Sequence, residues 1–358
     1  MGFLDSIFKK PLVGLDIGIS GIKAVQLERN KKTVRLMAYN RVPLPWDAIS
    51  AEGEIRDRGV VITALKRLFE SRAFSSRSVA LGTCGNSVIT KKVAMPKMAP
   101  AELSNQLYWE AEQYLPFNPS EVNIDYVILG NSQSQGDMPM MDVLLVAAKK
   151  DYVKSVMGLV EEAGLRPEIV DSQSFALGNA FEFNYGFDPS TREGTTAIID
   201  FGAGTTKISI VEGHLTTFTR ELRQSGVVCT ALIAERLGIP PDQAEKAKIF
   251  EPEHESVRPI VSEFVQGLVE EIARTLDFYS SQAADRTLDT IYVCGGASRT
   301  LNLVEALSSK ISVQIDVLNP VQKIAGSGKG MKTQVLKELG CLGTVAIGLS
   351  LRAVGDRK

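Results

Sequence analysis

Short apolar runs broken by glycine and small polar residues open the chain. Val13 to Ile17 and Ile22 to Leu27 read as strands joined at a Gly/Ser turn, with Thr33 to Arg41 as a third, antiparallel member. A helix is predicted over Glu54 to Phe69 and a strand over Ser78 to Gly82. The order returns after residue 197 in strands Thr196 to Asp200, Thr206 to Val211 and His214 to Glu221, a helix Val227 to Leu237, and a strand Thr290 to Cys294. An order of elements that recurs predicts two similar lobes.

Between the copies lies a stretch with its own pattern. Val88 to Val93, Val122 to Leu129 and Met141 to Ala148 read as strands, and Ala101 to Leu115 and Asp151 to Ala163 as helices. This βαββα order predicts a small α+β subdomain, with NSQSQGDMPM (131 to 140) as a polar hairpin loop. Further on, Ile260, Phe264, Leu268, Ile272 and Leu276 recur at steps of four and predict a long packed helix over Val257 to Ser281. Gly343 to Val354 reads as a last helix.

Composition narrows the function classes. A chain of 358 residues exceeds the size at which one core keeps growing, which agrees with two lobes. With 44% hydrophobic and 23% charged residues it is a folded globular chain, and a net charge of -2 argues against nucleic acid as a partner. His214 and His254 are its two histidines, so a multi-histidine metal site is excluded and a Ser-His-Asp hydrolase is poorly supplied. Cys84, Cys229, Cys294 and Cys341 form no CxxC and predict reduced thiols in a cytoplasmic setting. No run has the length of a membrane span, and MGFLDSIFKK reads as a leader packed against the first strand, although Phe3, Leu4, Ile7 and Phe8 share a helical face.

The repeat also carries the candidate chemistry. VGLDIGISGIKAVQLE (13 to 28) lies over IIDFGAGTTKISIVEG at one constant offset: Asp16 falls on Asp200, Gly18 on Gly202, Lys23 on Lys207 and Glu28 on Glu212. An aspartate at a strand end before a small-residue turn suits a phosphate, whose oxygens the turn's N–H groups approach while the acid holds hydrated Mg²⁺. One copy could be an ordinary glycine hairpin; two in register would clamp a nucleoside triphosphate. IYVCGGASRTLNL (291 to 303) is a strand running into Gly295 and Gly296, and Glu245 and Lys248 share a helical face that could grip a ribose and an adenine edge. AGSGKGMK (325 to 332) imitates a P-loop end, but Gly330 stands where a Ser or Thr is needed, and it reads as a flexible loop.

Taken in order, these motifs resemble the actin, sugar kinase and Hsp70 superfamily, and Gly226, Thr230, Ile233, Ala234, Leu237, Ala244, Glu245 and Lys248 are similar to the FtsA branch of bacterial actins. WEAEQYLPFNPSEVNIDY (109 to 126) resembles a segment of the PilM family of type IV pilus assembly. The resemblance implies an α/β fold: a duplicated actin-like (ribonuclease H-like) two-lobed ATPase with an inserted small α+β subdomain. Its divisions would be 1–84 for the core of lobe 1, 85–166 for the insertion, 167–190 for a connecting helix, 191–330 for lobe 2 and 331–358 for a helix returning to lobe 1.

It implies ATP and Mg as cofactors. Asp16, Gly18, Ser20 and Lys23 would form the first phosphate loop, and Asp200, Gly202, Gly204, Thr205 and Thr206 the second. Asp16 and Asp200 would hold Mg through water. Glu245, Lys248, Gly295, Gly296 and Ser298 would bind adenosine, while Asp171 or Gln173 would orient the attacking water, with hydrolysis slow or absent. The implied partners are the cytoplasmic N-terminal peptide of PilN, other inner-membrane platform components and the pilus motors, with self-assembly left open. The family peptide lies between the first lobe and the insertion, and an apolar trough is expected beside Val88 to Val93 and the helix of Trp109 and Tyr114. The expected place is the inner face of the inner membrane, reached through partners. The alternatives are a polymerising FtsA-like protein, a small-molecule kinase of the superfamily, and a secretion-system GspL domain.

Overall fold

The computed structural model describes residues 11–30, 33–51, 53–70, 73–85, 87–135, 138–186, 194–282, 287–325 and 333–356. The leader (1–10) and most of the P-loop imitation (326–332) lie outside the described residues. The chain opens with β1 (Val13–Gly18), β2 (Gly21–Arg29), β3 (Val34–Pro43), α1 (Arg58–Glu70) and β4 (Ser78–Thr83). The insertion follows as β5 (Val88–Pro96), α2 (Pro100–Tyr114), β6 (Val122–Gln135), β7 (Met138–Lys149) and α3 (Lys150–Glu162), before β8 (Arg166–Ser172) and α4 (Gln173–Tyr185). The second half holds β9 (Thr195–Phe201), β10 (Thr206–Glu212), β11 (Leu215–Leu222), α5 (Gly226–Leu237), α6 (Pro241–Phe250), α7 (Arg258–Gln282), β12 (Thr290–Cys294), α8 (Leu303–Lys310) and β13 (Gln314–Val317). Last come β14 (Ile324–Ala325), α9 (Thr333–Leu342) and α10 (Thr344–Ser350).

The duplication is visible in the strand order. One sheet runs β14-β3-β2-β1-β4-β8 and the other β11-β10-β9-β12-β13, so the same meander and the same two parallel strands recur. Each central strand is buried on both faces, as parallel pairing with helix cover requires. In the second lobe α7 lays Ile260, Phe264, Leu268, Ile272 and Leu276 into the core, the face that the step of four predicts.

Between the sheets lie α4 and α10, and they meet backbone to backbone. A Cβ on Gly348 would stand 1.8 Å from the Ala176 carbonyl oxygen, and one on Gly14 2.0 Å from that of Ala346. No side chain larger than hydrogen fits either place, so the two helices and β1 form one rigid layer. Ala176, Leu177, Val345 and Leu349 complete it together with Ile198 and Val211 of the second sheet.

Several expectations change. The first helix starts at Arg58 rather than Glu54, because the Asp57 carboxylate accepts the Val60 N–H at 3.0 Å and caps it there. The supposed loop 131 to 140 is mostly strand: its described residues belong to β6 and β7, with Gln135 paired to Met138. The stretch from 167 expected as helix is first a strand, β8, and becomes helical only at Gln173. The C-terminal helix is shorter than Gly343 to Val354, since Arg352 turns out of it to pair with Asp171 and Asp356. Two short strands and α9 went unread, and β14 pairs with β3 of the first sheet.

Candidate functional site

The register of the two hairpins builds the centre of the site. Asp16 pairs with Lys23 across β1 and β2, and Asp200 with Lys207 across β9 and β10. Opposite residues of an antiparallel pair share a face, so each lysine must lie over its aspartate. Lys23 Nζ donates to Asp16 Oδ2 at 2.8 Å, and Lys207 Nζ lies 3.6 Å from Asp200 Oδ2. All four side chains are nearly buried.

These pairs face one cavity of about 480 Å³ between the lobes. The loops that bound it touch where Ile19 packs on Gly204. The Gly226 and Val227 N–H groups donate to the Gly202 and Ala203 carbonyls at 3.1 and 2.9 Å, which seats the start of α5 against the second loop. Gly295 has a φ of +88°, and a Cβ there would come 2.3 Å from Asp200 Oδ1, so only glycine lets β12 turn beside this carboxylate. At the far end Lys248 donates to Glu245 Oε2, Thr230 Oγ1 and the Gly226 carbonyl at 2.6, 2.7 and 2.9 Å, fixing α6 on α5.

Most of the sequence-predicted residues thus meet. Asp16, Gly18, Ser20 and Lys23, then Asp200, Gly202, Gly204 and Thr205, and finally Glu245, Lys248, Gly295 and Gly296 all line the cavity. Thr206 and Ser298 stand behind it: Thr206 Oγ1 donates to the Gln224 carbonyl at 2.7 Å, and Ser298 Oγ closes its own turn on the Gly295 carbonyl at 2.7 Å. The two water-orienting candidates part company. Gln173 lines the cavity, its Nε2 donating to Asp16 Oδ1 at 3.3 Å, whereas Asp171 turns away into an ion pair with Arg352.

Sequence reasoning passed over Lys207, Arg41, Arg299 and Thr344, which also line the cavity. The signal for Lys207 was present, since the repeat lays it on Lys23. Among the described residues the lining sets five cations (Lys23, Arg41, Lys207, Lys248, Arg299) against three carboxylates (Asp16, Asp200, Glu245). Arg41 Nε and Thr344 Oγ1 are buried without a hydrogen-bond partner, and each such atom costs about 1–3 kcal/mol unless a polar guest satisfies it. A cationic cavity with orphaned polar atoms suits a polyanion.

A magnesium ion at Asp16 and Asp200 does not fit this donor set. Both oxygens of Asp16 are engaged, by Lys23 and Gln173, and the nearest cation to Asp200 is Lys207. Among the described residues no group of three or more acidic, cysteine or histidine side chains could hold a metal. Burial opposes the charge of Lys207, yet Asp200 foremost, with Glu221 and Asp16, outweighs it and raises its pKa above the ordinary lysine value.

A second cavity, of about 660 Å³, opens between the insertion, α4 and the second lobe. The sheet β5-β7-β6 explains it by alternation: Val143, Leu145 and Ala147 face α2, while Leu144, Val146 and Ala148 face the groove. The groove therefore lies on the opposite face of the sheet from α2. Tyr114 and Phe117 pack on the subdomain core, and Trp109 is 79% exposed on α2, so the expected trough beside that helix is replaced by this groove, which Val88 does line. Among the described residues its lining carries Asp125, Asp171, Glu182 and Asp356 against Arg352 and His214. Burial pushes the Asp171 carboxyl up, with the Arg352 guanidinium working against it.

Comparison with known proteins follows the same lines. A solved structure described as a PilM-PilN type IV pilus biogenesis complex is 27% identical, with a TM-score of 0.84, covering 97% of this chain and 100% of that one. MreB5 of Spiroplasma citri bound to ADP matches at a TM-score of 0.50 and 13% identity, over 87% of this chain and 93% of that one, and shares the fold. Cell division protein FtsA of Escherichia coli (strain K12) is 24% identical over 261 residues, 67% of this chain, which spans only 60% of that relative's length. The fold is the actin-like one with two lobes. No helix among the described residues is long and apolar enough to cross a membrane. The model of the family described as type IV pilus assembly protein PilM matches residues 14–354, and the chain belongs to that family.

Proposed function

We propose that the chain is an ATP-binding scaffold of type IV pilus assembly, with the nucleotide bridging its lobes in the cleft and the N-terminal cytoplasmic peptide of PilN held in the groove beside the insertion. The observation that carries the nucleotide reading is the doubled aspartate–lysine pair, with its two glycine turns, facing one cationic cavity. Phosphate contacts from both lobes would set the angle of the cleft. Gln173, tied to Asp16, would position water at the phosphate end; an amide takes no proton, so hydrolysis would be slow or absent. The peptide reading rests on the partner in the similar complex and on a groove of mixed apolar and polar lining with an acidic surplus, which suits a segment carrying both apolar and basic residues. Through such partners the protein would sit at the inner face of the inner membrane, beside other platform components and the motors.

Thermal unfolding tests both parts. ATP and a synthetic peptide of the partner's cytoplasmic N-terminus should each raise Tm, by an amount corresponding to about 2.7 kcal/mol at a hundredfold excess over Kd. Lys23→Glu should abolish the ATP shift and keep the peptide shift. If ATP protects Lys23→Glu as well as wild type, the nucleotide lies elsewhere.

A further inference from the structure

We propose that Lys207 and Lys23 together take the place of the divalent cation on the phosphate chain, so that the cleft binds a nucleoside triphosphate without a metal ion. This rests on the nucleotide reading above. Both hairpins carry the same device: a lysine opposite the strand-end aspartate in the register. Each ammonium stands over the small-residue turn of its own loop, 3.7 Å from where a Cβ on Gly18 or Gly202 would be. Two cations thus flank the place where a phosphate meets both turns, one from each lobe.

Displacing them is unfavourable for different reasons on the two sides. Lys23 is tied to Asp16, whose other oxygen is tied to Gln173. Lys207 is 5% exposed and has no solvent to retreat into. A divalent ion at either carboxylate would meet an ammonium at ion-pair distance. The surplus of positive charge along the lining supplies what a polyanion needs, and ammonium groups bind phosphate as point charges. In this arrangement the aspartates hold the lysines in place and do not themselves contact the ligand through a metal.

The test is ATP affinity of the full chain by calorimetry, in excess EDTA and in excess magnesium chloride. Wild type should bind with Kd values within about threefold of each other, whereas a loss of about tenfold or more in EDTA overturns the inference and leaves the nucleotide reading standing. Absence of binding in both buffers removes the nucleotide reading itself. Asp200→Asn, which keeps the side-chain shape, separates the roles further: a carboxylate without a metal repels phosphate, so this variant should bind ATP in EDTA at least as tightly as wild type. If instead it loses ATP affinity in magnesium while matching wild type in EDTA, the acid was holding a metal and the inference falls. Lys207→Met should lose about tenfold in EDTA and Lys207→Arg should restore it, a pattern that a purely structural lysine would not produce. Should Lys207→Met fail to fold, Asp200→Asn/Lys207→Met leaves no lone charge in the core. Wild-type affinity in that double variant would overturn the role of Lys207.

Discussion

The cleft and the groove are built against the same helix yet carry opposite charge. Gln173, at the start of α4, faces the cleft; Phe175, Gly178 and Asn179, further along it, face the groove. Among the described residues the cleft lining has five cations against three carboxylates, and the groove four carboxylates against one guanidinium and His214. A chain whose net charge is -2 thus conceals two strongly charged surfaces of opposite sign. Net charge excludes partners only when charges are evenly spread.

The comparison can be broken first where the two cavities share support. Gly348→Ala drives a methyl into the Ala176 carbonyl and forces α4 and α10 apart, so it should destabilise by about 3 kcal/mol or more and weaken both ligands together. Denaturant unfolding with both binding assays checks this; loss of only one ligand would show that α4 is not the common wall. Next, Lys248→Ala frees Glu245 and Thr230 at the base end of the cleft and should cost about tenfold in ATP affinity with the peptide unaffected, by calorimetry. The smallest effect belongs to the groove rim. Asp125→Lys should weaken a basic peptide by about threefold, less at high salt, and leave ATP alone, because an exposed charge contributes about 0–1 kcal/mol.

How much of this was legible depended on whether a signal was local. The repeated strand, turn and lysine pattern stood in the sequence, and with it most of the cleft. Thr206 and Ser298 were named from the motif but serve behind it, since a spacing rule cannot tell a lining hydroxyl from one that ties a turn. Asp171 and Gln173 were inseparable by spacing; a strand-to-helix corner sends them to opposite sides. Trp109 drew attention as an aromatic on the helix beside the edge strand of the insertion, yet the sheet meets the groove through Leu144, Val146 and Ala148, on the other face of β7. Alternation along β7 was readable, but which face stayed uncovered was not. The α4–α10 layer was invisible because glycine and alanine at Gly14, Gly348 and Ala176 give no apolar period, only permission for backbones to touch.

That layer also has a consequence for synthesis. The strand that opens the first sheet, residues 13–18, is covered by residues 344–350, and residues 324–325 extend the edge of the same sheet. At ~5–20 residues per second the ribosome takes on the order of tens of seconds to deliver those late segments. Until then the earliest strand lacks the helix that buries it, while the core of the second lobe on the α7 side is built from residues contiguous in the chain and can close early. The amino-terminal half would be the one that waits for chaperones, although it is made first.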